Sequence, residues 1–155
     1  MIKRFLRSVG YALQGIKLAI KEERNMRIDI VAMLFVWHLI PFYNFARSEI
    51  ALIVLVTFRI PAFELMNTAV ERAVHKPDEE HYMPAGDAKD AAAGAVLIMA
   101  TGAIAVAAMM FLQVEGLKNI WQFYTGNIIH AVLLMAYIVA AYFFITIDNH
   151  RKKDK

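Results

Sequence analysis

The sequence predicts an all-α integral membrane protein. An amphipathic helix at the N-terminus lies in the lipid interface, and four membrane helices follow it. Three observations predict this. First, 59% of the 155 residues are hydrophobic and mean hydropathy is +0.46, whereas a soluble domain is usually less than half apolar. Second, four apolar segments each approach or exceed the ~20 residues that cross a bilayer. Third, Lys and Arg are unevenly distributed between those segments, as the positive-inside rule requires of a multi-pass protein.

Residues 2–24 form the first element. Ile2, Phe5, Leu6, Val9, Leu13, Ile16 and Ile20 recur at helical spacing, and Lys3, Arg4, Arg7, Lys17 and Lys21 fill much of the remaining surface. A basic amphipathic helix next to membrane spans belongs in the headgroup region. The spans are predicted over Ile28 to Phe45, closed by Pro41 and Asn44, then Ile50 to Val74, Ala91 to Leu112 and Ile120 to Ile147. The third is rich in Ala and contains Gly94 and Gly102, and small residues of this kind let membrane helices approach closely. No low-complexity linker divides the chain, and no internal repeat is evident.

Seven Lys/Arg precede the first span. Arg72, Lys76 and Lys89 surround the second connection, and Arg151, Lys152, Lys153 and Lys155 close the chain, while the other two connections hold only Arg47 and Lys118. Both termini and the 75–90 loop are therefore expected on the cytoplasmic side of the inner (plasma) membrane. No secretory signal follows Met1. There is no cysteine, which excludes disulfides, thiol nucleophiles and thiolate metal sites. The phosphate-cradling pattern GxxxxGK[ST] is absent, as are HExxH and GxSxG. His38 and His130 stand alone in apolar spans and read as helix-packing residues.

Ionisable residues inside spans are costly and mark function by default. The second predicted span contains Arg59, Glu64, Asn67 and Glu71. Glu64, Asn67 and Glu71 stand at i, i+3 and i+7, so they share one stripe of the helix, with the two carboxylates about 10 Å apart along its axis. Glu71 is near the cytoplasmic end and Glu64 is deeper. Arg59 is about 140° around the helix from Glu64, off the stripe. Three readings fit: ion pairs that lock helix packing, a proton or ion relay, or a site joining a water-borne phosphate donor to a lipid acceptor. Further carboxylates gather on the same side: Glu22 and Glu23 before the first span, and Asp87 and Asp90, beside Lys89, at the start of the third. Carboxylates without thiolates suit a hard cation such as Mg²⁺, usually bound together with substrate phosphates.

The stretches Glu64-Leu-Met-Asn-Thr-Ala-Val-Glu71 and Ala88-Lys-Asp-Ala-Ala-Ala-Gly-Ala-Val96 resemble the prokaryotic diacylglycerol kinase and undecaprenol kinase family. So do Gly10-Tyr-Ala-Leu-Gln-Gly-Ile-Lys17 and Glu23-Arg-Asn-Met-Arg27, in order and spacing. The resemblance covers about residues 1–112 and is slightly nearer the undecaprenol kinase branch. It implies a membrane lipid kinase domain over 1–112, with residues 113–155 adding a fourth membrane helix and a basic cytoplasmic tail that the core family lacks. It also implies a homotrimer with active sites shared between protomers, and Mg²⁺-dependent transfer of the γ-phosphate of ATP to a lipid hydroxyl. On that resemblance Glu64 is the general base and Asn67 its neighbour, and Glu23 and Glu71 are the metal carboxylates. The nucleotide contacts fall on Arg4, Tyr11, Glu23, Glu71, Glu80, His81, Tyr82, Lys89 and Asp90. The sequence departs from the family at His75, where an Asp is usual, and in the order Glu80-His81-Tyr82. The competing expectation is a non-catalytic membrane scaffold or transport-type protein on a degenerate kinase fold. A packing protein has no need to combine Glu23, Glu64, Asn67, Glu71, Lys89 and Asp90.

Overall fold

The computed structural model describes residues 1–74 and 82–147, and every regular element in them is helical. α1 (Ile2–Glu22) is the amphipathic helix, with Ile2, Phe5, Leu6 and Leu13 exposed along it. A single non-helical residue, Glu23, separates it from α2 (Arg24–Leu39). Its backbone is extended, and its N–H still closes the last turn of α1 on the Ala19 carbonyl at 2.8 Å. α2 continues into a 3-10 turn, Ile40–Phe42, with Pro41 in it.

α3 (Arg47–Ala73) is 27 residues long. Its start is fixed by Glu49, whose carboxylate accepts the Ala46 N–H at 2.7 Å. Pro61 stands inside it, one turn before Glu64. Proline has no N–H, so the helix is one hydrogen bond short there. α4 (Tyr82–Phe111) packs back along α3, and α2 lies against α3 on another side. The buried stripe of α3 is Ile53, Thr57, Glu64 and Thr68. The Trp37 indole N–H of α2 donates to Thr57 Oγ1 at 3.0 Å, which fixes the α2–α3 register.

Two expectations change here. The segment Ile120 to Ile147 is not one span but two helices, α5 (Val114–Gly126) and α6 (Ile128–Thr146). The break is Asn127, whose backbone is extended and whose Oδ1 accepts the Ile129 N–H at 2.9 Å. An Asn side chain that caps the next helix competes with continuation of the previous one. Nor do the glycines of the third predicted span carry a close helix approach, because a Cβ at Gly94 or Gly102 meets nothing within 4 Å. The tight approach is at Gly116 of α5, where the Tyr43 ring occupies the space a Cβ would need.

α5 is latched at that end of the bundle by polar contacts. Asn119 Nδ2 donates to the Phe42 carbonyl at 2.9 Å and His38 Nε2 hydrogen-bonds the Tyr124 hydroxyl, while beside them the Tyr43 hydroxyl ties the 3-10 turn to the end of α4 by donating to the Phe111 carbonyl at 2.7 Å. Burial pushes the Tyr43 phenol above its ordinary value, so it stays a donor at any physiological pH. His130 stacks on Phe123, its Nδ1 at 3.0 Å from the Phe123 carbonyl. Both histidines therefore pack and bond within the helices, as the sequence implied. The outward face of α5 exposes Val114, Leu117 and Trp121.

Among the described residues, three helical segments are long and apolar enough to cross a membrane: Arg24–Phe42, Pro84–Phe111 and Ile128–Thr146. α3, the second predicted span, is not among them; it carries Arg59, Glu64, Asn67 and Glu71. The chain is an all-helical membrane protein, and the helix with the buried polar stripe, α3, packs against both α2 and α4.

Candidate active site

Glu64 lies on the buried stripe of α3, and only 4% of its surface is exposed. One turn on, the Thr68 hydroxyl closes back on the Glu64 carbonyl at 3.0 Å. The Asn25 side chain of α2 faces the Glu64 carboxyl, and Glu23, Glu71 and Asp29 are all within electrostatic range of it. Carboxylates from the α1–α2 elbow, α2 and α3 thus converge at one end of the bundle.

Toward water the stripe continues as a bonded pair. Asn67 Nδ2 donates to Glu71 Oε1 at 3.0 Å, the i, i+4 geometry expected of neighbours on one helix face. Asn67 is half-buried and Glu71 exposed. The Asn67 carbonyl oxygen, Oδ1, is buried and has no partner among the described residues. The same is true of Asp29 Oδ2. Buried acceptors left unpaired cost free energy and need a reason.

Glu23 occupies the N-cap position of α2, where a negative charge is favoured by the helix dipole. It is also paired: Arg72 Nη2 of α3 bridges Glu22 Oε2 at 3.1 Å and Glu23 Oε1 at 3.5 Å. Arg72 read in sequence only as a topology charge, but in the fold it ties the end of α1 to α3.

The structure brings Glu23, Glu64, Asn67 and Glu71 together. It does not bring Arg4 or Tyr11 to them within one chain. Both are exposed on α1, and at 1.5 Å per residue Arg4 is about 27 Å from the end of that helix and Tyr11 about 17 Å. Lys89 is half-buried and Asp90 exposed, both near the start of α4. Glu80 and His81 lie outside the described residues, as do His75 and the basic tail. Tyr82 opens α4, with its side chain outside the description. Among the described residues no three acidic or histidine side chains form a closed metal cage.

Sequence reasoning missed Asn25 and Asp29. Asp29 was the detectable one, being an acid near the start of an apolar span and on the same α2 face as Asn25. A cleft of about 240 Å³ runs from Asp29 between α2, α3 and α4. Val36, Ile53, Ile60, Ala103 and Phe111 are among its walls.

The site thus combines a buried carboxylate on α3, an amide–carboxylate pair leading to the exposed end of that helix, and an apolar cleft lined in part by Asp29. The family described as prokaryotic diacylglycerol kinase matches residues 10–111, and the chain belongs to that family. By that membership it is a lipid kinase. It is 32% identical over 111 residues to an undecaprenol kinase of Bacillus subtilis, which covers 72% of this chain and 90% of the relative. It is 31% identical over 97 residues to a diacylglycerol kinase of Haemophilus influenzae, covering 63% of this chain and 82% of the relative. A diacylglycerol kinase of Helicobacter pylori is 32% identical over 96 residues, covering 62% of this chain and 75% of the relative. No solved structure is significantly similar to the chain.

Proposed function

We propose that this protein transfers the γ-phosphoryl group of ATP to the hydroxyl of a membrane lipid, diacylglycerol or undecaprenol, with Glu64 as general base. The observation that carries the proposal is the burial of Glu64 in range of Asp29, which lines an apolar cleft, while Asn67 and Glu71 continue its stripe to the exposed end of α3. A lipid acceptor arrives with its hydroxyl at membrane depth, and a nucleotide arrives from water. The one stripe serves both. The lipid tail takes the cleft, and its hydroxyl lies at the Asp29–Glu64 end.

In the transfer, the lipid oxygen bonds to the γ-phosphorus and the bond to the β–γ bridging oxygen breaks. The hydroxyl proton passes to the Glu64 carboxylate, and ADP leaves. Asn25, facing that carboxylate, orients it. Glu23 and Glu71 fit a hard divalent cation, since both offer carboxylate oxygens and the unpartnered Asn67 Oδ1 adds a third oxygen close by. Glu23 and Glu71 would hold Mg²⁺, and its charge would offset that of the nucleotide phosphates. Lys89 and Arg4 are assigned to phosphate contacts, Tyr11 and Asp90 to the rest of the nucleotide. The distance of Arg4 from Glu23 along α1 favours a site completed by a neighbouring protomer, in a homotrimer. The charge distribution favours the inner membrane, with both termini and the site facing the cytoplasm.

The test is phosphorylation of diacylglycerol and of undecaprenol, separately, by purified protein in lipid with labelled ATP and Mg²⁺. Label in one lipid names the acceptor. Label in neither refutes the proposal in favour of a non-catalytic membrane scaffold.

A further inference from the structure

α2 separates the catalytic helix from the added fourth helix. One face carries Asn25 and Asp29 toward Glu64, and Val36 on the cleft. The opposite face, about 160° away, carries Arg27, Val31 and Phe35 at i, i+4 and i+8. That second face is occupied by α6. Arg27, 6% exposed, donates from Nη1 to the Ile147 carbonyl at 2.6 Å, across 120 positions of sequence. The Tyr137 hydroxyl donates to the Val31 carbonyl at 3.0 Å, and the Phe35 and Tyr137 rings stack with centroids 6.4 Å apart.

We infer that α6 is an intramolecular brace that sets the rotation and depth of α2, with Arg27 as the positioning residue that aligns Asn25 and Asp29 on Glu64. The inference rests on the kinase reading above for its effect on catalysis, but its structural content is independent of it. Three physical facts support it. The last carbonyls of a helix lack intrahelical donors and carry the negative end of its dipole, so a guanidinium is the fitting partner at Ile147. A charge-assisted bond buried among apolar residues is stronger and more directional than a surface one. A rotation of α2 that broke this bond would also swing Asn25 and Asp29 off the Glu64 carboxyl, because the two faces belong to one rigid helix. Arg27 does not face Glu64, so it acts through the helix rather than on substrate.

The test uses the full chain in lipid vesicles and the substitutions Arg27→Met, Arg27→Lys and Tyr137→Phe. Kinetics are read alongside the distance between spin labels on α2 and α3. The chain has no cysteine, so Leu34→Cys and Leu55→Cys, both at exposed positions, give unique label sites. The expected result for Arg27→Met is a fall in kcat of about 10²-fold, the usual cost of a misplacement near 1 Å. The KM for ATP should stay within about twofold, and the α2–α3 distance distribution should broaden. Arg27→Lys should restore most of kcat and the narrow distribution. Tyr137→Phe, which removes one hydroxyl and leaves the packing, should give a smaller change in the same direction. An unchanged distance distribution in Arg27→Met overturns the brace, as does a loss of kcat that lysine does not rescue. If the unsubstituted chain phosphorylates neither lipid, the kinase reading fails, and the brace is judged on the distances alone.

Discussion

Glu64→Gln separates catalysis from packing because the two readings of that residue predict opposite changes in stability. Glutamine keeps the volume of the side chain and removes its charge and its basicity. Loss of a positioned general base costs typically 10²- to 10⁴-fold, or about 3–5 kcal/mol of transition-state stabilisation at 1.36 kcal/mol per tenfold. Stability should move the other way. Glu64 is 4% exposed and in range of the charges of Glu23, Glu71 and Asp29. Glu71 is seven residues on, about 10 Å along the axis, and two like charges at that distance repel by about 1.5 kcal/mol at an effective dielectric of ~20. With the other carboxylates included, relief of repulsion should amount to about 1–3 kcal/mol, a rise of several degrees in Tm for a chain of this size. The assays are lipid phosphorylation with labelled ATP and thermal unfolding in detergent. If Glu64 instead locks the helices together, the substitution lowers Tm and activity falls only in proportion to unfolding. That result would refute its assignment as the base.

Three other outcomes follow from the same geometry. Arg72→Gln should lower the Mg²⁺ concentration for half-maximal activity, because Arg72 competes with a cation for Glu23. Its effect on stability should be under about 1 kcal/mol, since the pair is largely exposed, and Mg²⁺ titration of initial rates checks the sign. Gly116→Ala should displace the Tyr43 ring and break its bond to the Phe111 carbonyl, costing about 1–3 kcal/mol in thermal unfolding with no change in Mg²⁺ dependence. In a Trp37→Phe background, Trp121 fluorescence should be quenched by lipids brominated near the headgroup and little by lipids brominated near the acyl terminus. The outward face of α5, with Leu117 and Trp121 exposed, lies where the spans leave the membrane.

Much of the fold was legible because its elements are long and strongly periodic. α1 announced itself by a basic amphipathic pattern, and the stripe on α3 by three polar residues at helical spacing in an apolar run. The break at Asn127 was legible in principle. Gly126-Asn127 is a helix stop followed by a helix start, but it is embedded in apolar residues, and hydropathy averages across it. Gly94 and Gly102 are a different case, because within the one chain a Cβ at either meets nothing within 4 Å. Small residues permit close packing without requiring it, and in this chain the tight contact went to Gly116, in a helix the sequence had not separated. For the site, the residues on α3 were readable because they share one helix. Asn25 was not, and Asp29 was legible only as an acid in an apolar span, because their relation to Glu64 exists only once α2 is rotated against α3, and nothing in linear spacing encodes that rotation.

That rotation is where the added helix bears on the chemistry. α2 meets α3 through the Trp37–Thr57 hydrogen bond, far from the carboxylates, and through Asn25 against Glu64 at the carboxylate end. At the carboxylate end the α2 face turned to α3 holds Asp29, whose Oδ2 has no partner among the described residues. Neighbouring carboxylates repel, so left to themselves the ends of α2 and α3 are pushed apart where Glu64 must meet its substrate. The contact of Arg27 with Ile147 acts at that end and from behind, and the Arg72 bridge to Glu22 and Glu23 acts from the elbow. Two cations thus act from outside the reacting face, and neither is paired with Glu64 or Asp29. A salt bridge on Glu64 itself would have stabilised the helices more cheaply, but it would have occupied the oxygen that the lipid hydroxyl has to reach.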